Sequence, residues 1–296
     1  MSSRKWLNCR LSDIQERLGK HQVSKPVISR LLKAHDYRLR TNTKQICSKQ
    51  NPERNLQFEH IQEQRQQHQE AGEPCLSTDT KKKELIGNFK NAGRVWCQTA
   101  ERVHAHDFKQ DSLGRAVPYG VYDLQFNHGT VYLGHSADTP AFAVDNIAAW
   151  CATERLERFP TSQRLLIETD CGGSNSATSR AWKYHLQNKV ADRFDLIITV
   201  CHYPTGASKW NPIEHRLFSE ISKTWAGCPL RTFAIAAQYI RETKTQTGLT
   251  VRAHMNQKKY AAGEKISDEM MATLNILYHQ VCPQWNYTIY PRGYCH

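Results

Sequence analysis

The chain has no stretch that is apolar for long enough to span a bilayer. Behind the opening Met1-Ser2-Ser3-Arg4-Lys5-Trp6 there is no apolar run of signal-peptide length. Nor is there a Cys-x-x-Cys pair. The ten cysteines stand singly, at 9, 47, 75, 97, 151, 171, 201, 228, 282 and 295, which argues against a zinc ribbon. Cys75 and Cys201 fall on predicted core strands, where a free thiol packs as a small hydrophobe. These absences suit a reducing cytoplasm and no membrane. Negative charge is scarce at one end only. Residues 1–50 hold 12 Lys/Arg against 3 Asp/Glu, so this sixth of the chain carries +9 of a net +12. A basic head on a nearly balanced body points to a polyanion held by the head.

What is present is ordinary for a globular protein: 39% hydrophobic and 23% charged residues. The 296 residues suffice for one large core and a small accessory domain. Residues 11–37 read as two short helices. Ser12 and Gln15 form the capping-box pair of the first, Ile14 and Leu18 mark its buried stripe, and Gly19 helps to end it. Ser24 caps the second, with Pro26 in its first turn. Val27, Ile28, Leu31 and Leu32 have helical spacing, and Lys25, Ser29, Arg30 and Lys33 lie on the other side. The pair reads either as a helix-turn-helix whose second helix enters a DNA groove, or as a plain helical hairpin. Residues 38–50 read as a basic linker. Residues 51–70 read as a Gln/Glu-rich helix with a thin stripe of Leu56, Phe58 and Ile61, stopped by Ala71-Gly72-Glu73-Pro74.

From Cys75 the pattern changes to strands, at 75–80, 118–124, 129–135, 164–170 and 196–202, with a turn at Asn127-His128-Gly129. Helices follow at about 140–156, 176–191 and 211–225, then a helix at 231–244, a strand at 249–254 and a helix at 267–278. This order predicts an α/β fold, a mixed five-stranded sheet in which an antiparallel meander feeds a parallel half, flanked by helices. The expected domains are 1–45 (helix-turn-helix), 46–74 (linker and polar helix), 75–228 (catalytic core) and 229–296 (a helical extension of that core).

Three acids stand out. Asp79 ends Cys75-Leu76-Ser77-Thr78-Asp79, and Asp170 ends Leu165-Leu166-Ile167-Glu168-Thr169-Asp170. Glu214 lies in Trp210-Asn211-Pro212-Ile213-Glu214-His215, after the apolar strand Leu196 to Val200. A lone Asp at a strand end is more often a turn or cap residue. Three carboxylates from separate elements instead suit a divalent-metal site for phosphodiester chemistry, because hard Mg²⁺ prefers oxygen ligands. Pro212 can start the helix of Glu214, and Asn211 can cap it. Gly172 and Gly173 permit a tight turn after Asp170. Ser174 and Asn175 either donate to phosphate or cap the next helix. Lys81, Lys82 and Lys83 alternate faces in an extended chain. One or two of them reach phosphate, with Lys81 and Lys83 the candidates. Lys209 joins them from the loop before Glu214, where Trp210 either stacks on an unpaired base or packs the loop. His104, His106 and Asp107 have ligand-like spacing but read as a surface cluster. Glu168 should share the face of Asp170, as a supporting carboxylate or an ordinary exposed acid.

Longer runs carry a family resemblance. They are Asp79-Thr80-Lys81-Lys82-Lys83-Glu84-Leu85-Ile86-Gly87-Asn88-Phe89-Lys90-Asn91-Ala92-Gly93-Arg94 and Pro118-Tyr119-Gly120-Val121-Tyr122-Asp123. Further on come Asp170-Cys171-Gly172-Gly173-Ser174-Asn175, Ser208-Lys209-Trp210-Asn211-Pro212-Ile213-Glu214-His215-Arg216-Leu217-Phe218 and Trp285-Asn286-Tyr287-Thr288-Ile289. With these the chain resembles bacterial insertion-sequence transposases with a DDE catalytic domain, in the group of the Rhodopirellula transposase DDE domain. The resemblance implies a ribonuclease-H-like fold with Asp79, Asp170 and Glu214 as the catalytic, metal-binding acids. It also implies two Mg²⁺ ions, with Mn²⁺ as a substitute, and double-stranded DNA as partner, at the element's terminal repeats and at the target. The activity implied is cleavage and rejoining of element ends, by a homo-oligomer assembled on DNA in the bacterial cytoplasm, at the nucleoid. Members of the family usually carry another helix-turn-helix further toward the N-terminus, so the head here is expected to be a partial one. Two other readings stay open at this point: a truncated, non-catalytic DNA-binding remnant, and a nuclease of the same fold without strand transfer.

Overall fold

Along each strand between Cys75 and His202, side chains alternate between two apolar layers. The computed structural model, which describes residues 9–19, 21–39 and 52–294, turns this alternation into one sheet covered on both faces. The chain divides into two compact units, Met1–Ser48 and Lys49–His296.

In the first unit the helices are Leu11–Arg17 and Lys25–Ala34. The first is not capped by Ser12. Asp13 reaches back to accept from the Arg10 backbone N–H at 2.9 Å, and Ser12 donates to Asp13. An acid in the first turn also suits the helix dipole. Gln15 does not close a capping box either: its amide donates to the Val23 carbonyl at 2.8 Å, tying the helix to the approach of the second. Gly19, at φ +42°, ends the first helix in the left-handed region. Ile28 is the buried residue of the second helix, while Lys25, Arg30 and Lys33 are exposed and Ser29 is half-buried. The expected linker beyond Leu39, with the boundary at 45, lies outside the described residues.

Among the described residues the second unit has nine strands: β1 (Cys75–Thr80), β2 (Glu84–Ile86), β3 (Gly114–Asp123), β4 (His128–Gly134), β5 (Arg164–Thr169), β6 (Ile197–His202), β7 (Thr250–Met255), β8 (Ile276–Tyr278) and β9 (Asn286–Ile289). They run in the order β7-β4-β3-β1-β5-β6-β9-β8, with β2 paired to the start of β3. The central five, β4-β3-β1-β5-β6, are the predicted sheet. β1 pairs antiparallel with β3, and β3 with β4, while β1, β5 and β6 run parallel. This is the ribonuclease-H-like arrangement. The sheet continues past it on both sides, with β7 beside β4 and with β9 and β8 beside β6.

One face carries Leu76, Val121, Ile167 and Val200 under the helix Pro140–Trp150 and the helix Arg180–Leu186, whose Trp150 and Trp182 are fully buried. Both helices run on through a π turn. Thr139 caps the first, accepting from Phe142 N at 3.2 Å, with Pro140 opening it. The other face carries Tyr122, Val131 and Leu133 under Ile213, Leu217, Phe218 and the helix Phe233–Glu242. Beside it Cys75, Leu166 and Cys201 lie under the helix Arg54–Glu70.

That helix departs from its expected stripe. Leu56 is exposed, and the buried row is Gln57, His60, Ile61 and His68, mostly polar. Polar groups out of water need partners: Gln57 bonds His202 and Asn286, His60 meets His279 at 2.9 Å, and His68 bonds the Gln64 carbonyl through Nδ1. The expected helix at 267–278 is confined to Asp268–Ala272. The Thr273 hydroxyl donates to the Met270 carbonyl at 2.8 Å, and Asn275 N donates to the Gln187 side chain at 2.9 Å. These bonds close the helix, and Ile276–Tyr278 then pairs with β9.

Two backbone approaches set the distance between sheet and helix on the second face. A Cβ on Gly120 would come within 2.6 Å of Phe218 Cε1 and 2.8 Å of Ile213 Cδ1, and one on Gly129 within 2.5 Å of Leu217 Cδ1. Glycine lets the segment that carries Glu214 lie directly on β3 and β4. Gly120→Ala is therefore expected to overpack this layer and lower unfolding stability by about 1–3 kcal/mol, read as a lower denaturant midpoint. An unchanged midpoint would show that the layer has room to spare.

Candidate active site

Asp79 sits near the end of β1, opposite Gly120 on β3 and one pair from the edge of the ladder. Asp170 follows the last residue of β5, and Glu214 opens the π turn Glu214–Phe218. All three are partly exposed at one end of the central strands. The three acids act on one another electrostatically. Burial, then the charge of Asp170, then Glu214, through its charge and through carboxyl–carboxyl contact, push the Asp79 carboxyl up to about 8. The Thr80 backbone N–H, 2.7 Å from Asp79 Oδ1, pulls the other way. Asp170 is also raised, first by burial and then by Glu214 and Asp138, against the Gly172 N–H, 3.3 Å from Asp170 Oδ1.

The segment of Glu214 is fastened to β1 by side chains. Asn211 is fully buried, but it does not cap the helix with its side chain. Its Nδ2 donates to the Thr78 carbonyl at 3.3 Å and its Oδ1 accepts from Ser77. The Ser77 hydroxyl in turn accepts from Ile213 N at 3.0 Å, so β1 itself supplies the cap. Pro212 enters the helical turn as expected. Ser77 and Asp79 alternate onto one face, so the strand that presents the first acid also anchors the third.

Ser174 and Asn175 do not cap the next helix, which begins at Arg180 and is capped by Ser179, accepting from Trp182 N at 3.2 Å. Asn175 accepts from the Tyr119 hydroxyl at 3.1 Å, and Ser174 meets the Thr80 hydroxyl at 3.3 Å. Thr80 also donates to Asp138 at 3.1 Å. Asp138 is a fourth acid at this corner, on the loop before Pro140, and Lys83 stands 3.6 Å from it. Glu168 is neither exposed nor free. It is fully buried, gripped at both oxygens by Arg65 at 2.7 and 2.5 Å and by the Tyr203 hydroxyl at 2.7 Å.

Beside Glu214 opens a cleft of about 720 Å³ lined by Lys81, Lys82, Lys83, Lys90, Ser222 and Trp225, among others. Lys81 is buried, paired with Glu84 at 3.0 Å and lying 4.7 Å over the Trp225 ring. Lys82, Lys83 and Lys90 are exposed. Lys209 is exposed and lies 5.3 Å over the ring of Trp210, which is half-exposed and meets Phe58 edge-on at 6.1 Å. His104, His106 and Asp107 are exposed, as a surface cluster would be.

Among the described residues no group of three or more His, Cys, Asp or Glu side chains stands in metal-holding geometry. The donor set nevertheless suits a hard cation. Mg²⁺ keeps several waters and needs one or two carboxylates beside a phosphate, and carboxylates whose repulsion raises their own pKa lack a compensating positive charge. Ser77, Gly120, Asp138 and Arg65 were invisible to motif reading, since each matters only through a partner distant in sequence. The Gln/Glu-rich character of residues 51–70 was the one available signal of polar docking.

The raised Asp79 pKa also sets a pH dependence. The folded carboxyl holds its proton up to about 8 and an unfolded one only to about 4, so the metal-free fold loses stability as pH rises between those values. Asp79→Asn removes the ionisation and keeps the acceptor for Thr80. Without divalent metal it is expected to raise the melting temperature at pH 8, on a scale of about 2–4 °C per kcal/mol, with the gain shrinking toward pH 5. Calorimetry at the two pH values checks this, and a loss of stability at pH 8 would contradict it.

The Rhodopirellula transposase DDE domain family matches residues 1–291. No curated protein matches the chain. Among solved structures the chain is similar to the Mos1 transposase paired-end complex with left transposon end, at 13% identity and TM-score 0.46, over 78% of this chain and 65% of that one. It is also similar to the Mos1 mariner paired end complex with Mn, at 12% identity and TM-score 0.47, over 82% and 73% of the two chains. The mariner Mos1 paired end complex with Mg gives 12% and 0.47, over 79% and 66%. The chain thus spans 65% of the length of the first of these relatives. With its profile matched almost end to end, this chain belongs to the family of the Rhodopirellula transposase DDE domain.

Proposed function

We propose that this protein is a DNA transposase that cleaves and rejoins element ends by Mg²⁺-dependent phosphodiester hydrolysis and strand transfer, with Asp79, Asp170 and Glu214 as its catalytic and metal-holding acids. The observation that carries the reading is geometric: Asp79 lies near the end of β1, Asp170 follows the neighbouring parallel strand β5, and Ser77 and Asn211 bond the segment of Glu214 to β1. Divalent cations bound there would neutralise the charge developing on a scissile phosphate and activate the attacking oxygen. The chain's own part is to hold the acids. Ser77 and Asn211 fix the segment of Glu214 to β1, and the Gly172 N–H donates to Asp170 Oδ1.

The DNA would lie along the cleft beside Glu214, its phosphates met by Lys83 and by Lys82 and Lys90. Lysines neutralise phosphate without reading sequence. Lys81 supports this wall from within, through Glu84 and Trp225. Lys209 and Trp210 offer a cation and a half-exposed ring to the strand near the acids. In the first unit Lys25, Ser29, Arg30 and Lys33 form the DNA-facing side of the second helix. Mn²⁺ would replace Mg²⁺, and the protein would act as a homo-oligomer assembled on terminal repeats and target in the bacterial cytoplasm, at the nucleoid. Among the described residues no helix is long and apolar enough to cross a membrane.

A strand-transfer assay on the element's ends with Mg²⁺ tests this. The unaltered chain is expected to cleave and join. Asp170→Asn is expected to bind the same DNA and lose more than about 100-fold in rate, beyond the range seen for groups that only support a metal ligand. DNA binding with no cleavage by the unaltered chain would favour the non-catalytic remnant, and activity surviving Asp170→Asn would overturn the assignment of the acids.

A further inference from the structure

The run Trp285-Asn286-Tyr287-Thr288-Ile289 has no part in the chemistry above, yet it reaches Asp170 through His202. The β5–β6 ladder ends at the pair Thr169–His202. The carbonyl of Asp170 therefore lies just beyond the ladder, and the His202 ring meets it, with Nδ1 at 3.0 Å. His202 is fully buried. Its other nitrogen, Nε2, lies 3.2 Å from the Tyr287 hydroxyl, which accepts from Trp182 Nε1 at 2.8 Å.

The donor directions in this chain are fixed by chemistry. A carbonyl oxygen only accepts and an indole N–H only donates. Trp182 therefore donates to Tyr287, Tyr287 has its own proton left for His202 Nε2, and His202 must carry its proton on Nδ1 to donate to Asp170. The main chain of His202 is held as well. Its N–H donates to the Trp285 carbonyl at 3.0 Å, and its carbonyl accepts from Gln57 Nε2 at 2.8 Å. Gln57 and Asn286 in turn exchange two amide hydrogen bonds, at 2.8 and 2.6 Å.

We propose that His202 is a positioning residue for the second acid, fixing the Asp170 main chain through an Nδ1–H, with Tyr287 and Trp182 holding the other ring nitrogen as acceptor. On this account β9 and the polar helix Arg54–Glu70 act on the site from behind, by clamping His202 from two sides. The proposal rests on the reading of Asp170 as a catalytic acid for its effect on rate, and on geometry alone for the tautomer.

Two measurements on the full chain test it. The first is ¹⁵N NMR of histidine-labelled protein, with the His202 signals assigned through His202→Asn. The expected result is an Nδ1–H tautomer in the unaltered chain, kept in Tyr287→Phe because the Asp170 carbonyl still accepts, with the Nε2 signal alone moving once the proton offered to it is deleted. The second is DNA cleavage with binding measured separately. His202→Leu is expected to cut about 10–100-fold more slowly, the range for groups that orient a metal ligand, with unchanged affinity for DNA. His202→Asn, whose amide can present an N–H to the Asp170 carbonyl, is expected to recover most of the loss. An Nε2–H tautomer in the unaltered chain would overturn the proposal, as would a normal rate in His202→Leu or equal losses in the Leu and Asn variants. If the unaltered chain cleaves nothing, the transposase reading fails, and the tautomer measurement alone still upholds or overturns the clamp.

Discussion

Carboxylates held close together in a partly dry corner repel one another, and a fold that forces them there must hold them against that repulsion. Burial first, then Asp170 and Glu214, push the Asp79 carboxyl up to about 8. A cation between them would remove the penalty, since a nearby positive charge favours the ionised form. The scaffold around the acids can be understood as the set of bonds that keeps them from moving apart when no such charge is present.

Those bonds come from every layer of the protein. On β1, Ser77 and the Thr78 carbonyl hold Asn211 and Ile213, so Glu214 cannot swing away without breaking buried hydrogen bonds. The missing side chain at Gly120 lets Ile213 and Phe218 lie against β3. Behind Asp170, Glu168 is locked by Arg65 and Tyr203. Removing one partner from a buried ion pair strands a charge and costs about 3–5 kcal/mol. Arg65 lies on the helix Arg54–Glu70, so docking of that polar helix and the position of β5 are one problem rather than two.

How much of this was legible follows from the range of the interactions. The five central strands were readable because their signal is local: apolar runs of strand length, the Asn127-His128-Gly129 turn and helical spacing between them. The three acids stood out in the sequence because each ends such a strand or follows one. β8 and β9 were not. Three- and four-residue strands are too short to show a period, and Ile276–Tyr278 carried on a helical pattern until Thr273 and Asn275 closed it. The caps were misjudged for a related reason. Asn211, Ser174 and Asn175 are good local caps by residue type, but each found a tertiary partner, and the Ser77–Asn211 bond spans 134 positions. The polar helix 54–70 gave a true signal that was read too narrowly. Gln57 and Arg65 dock the helix, while Gln62, Gln66, Gln67 and Gln69 face solvent.

The central claim is that Asp79, Asp170 and Glu214 form a corner that needs a divalent cation. The most direct measurement is anomalous X-ray scattering from crystals of the protein grown with Mn²⁺. The account predicts an anomalous peak bordered by the carboxylates of Asp79 and Asp170, with Glu214 drawn toward it. Well-ordered carboxylates with no Mn²⁺ among them, or a peak held only by other residues, would contradict it.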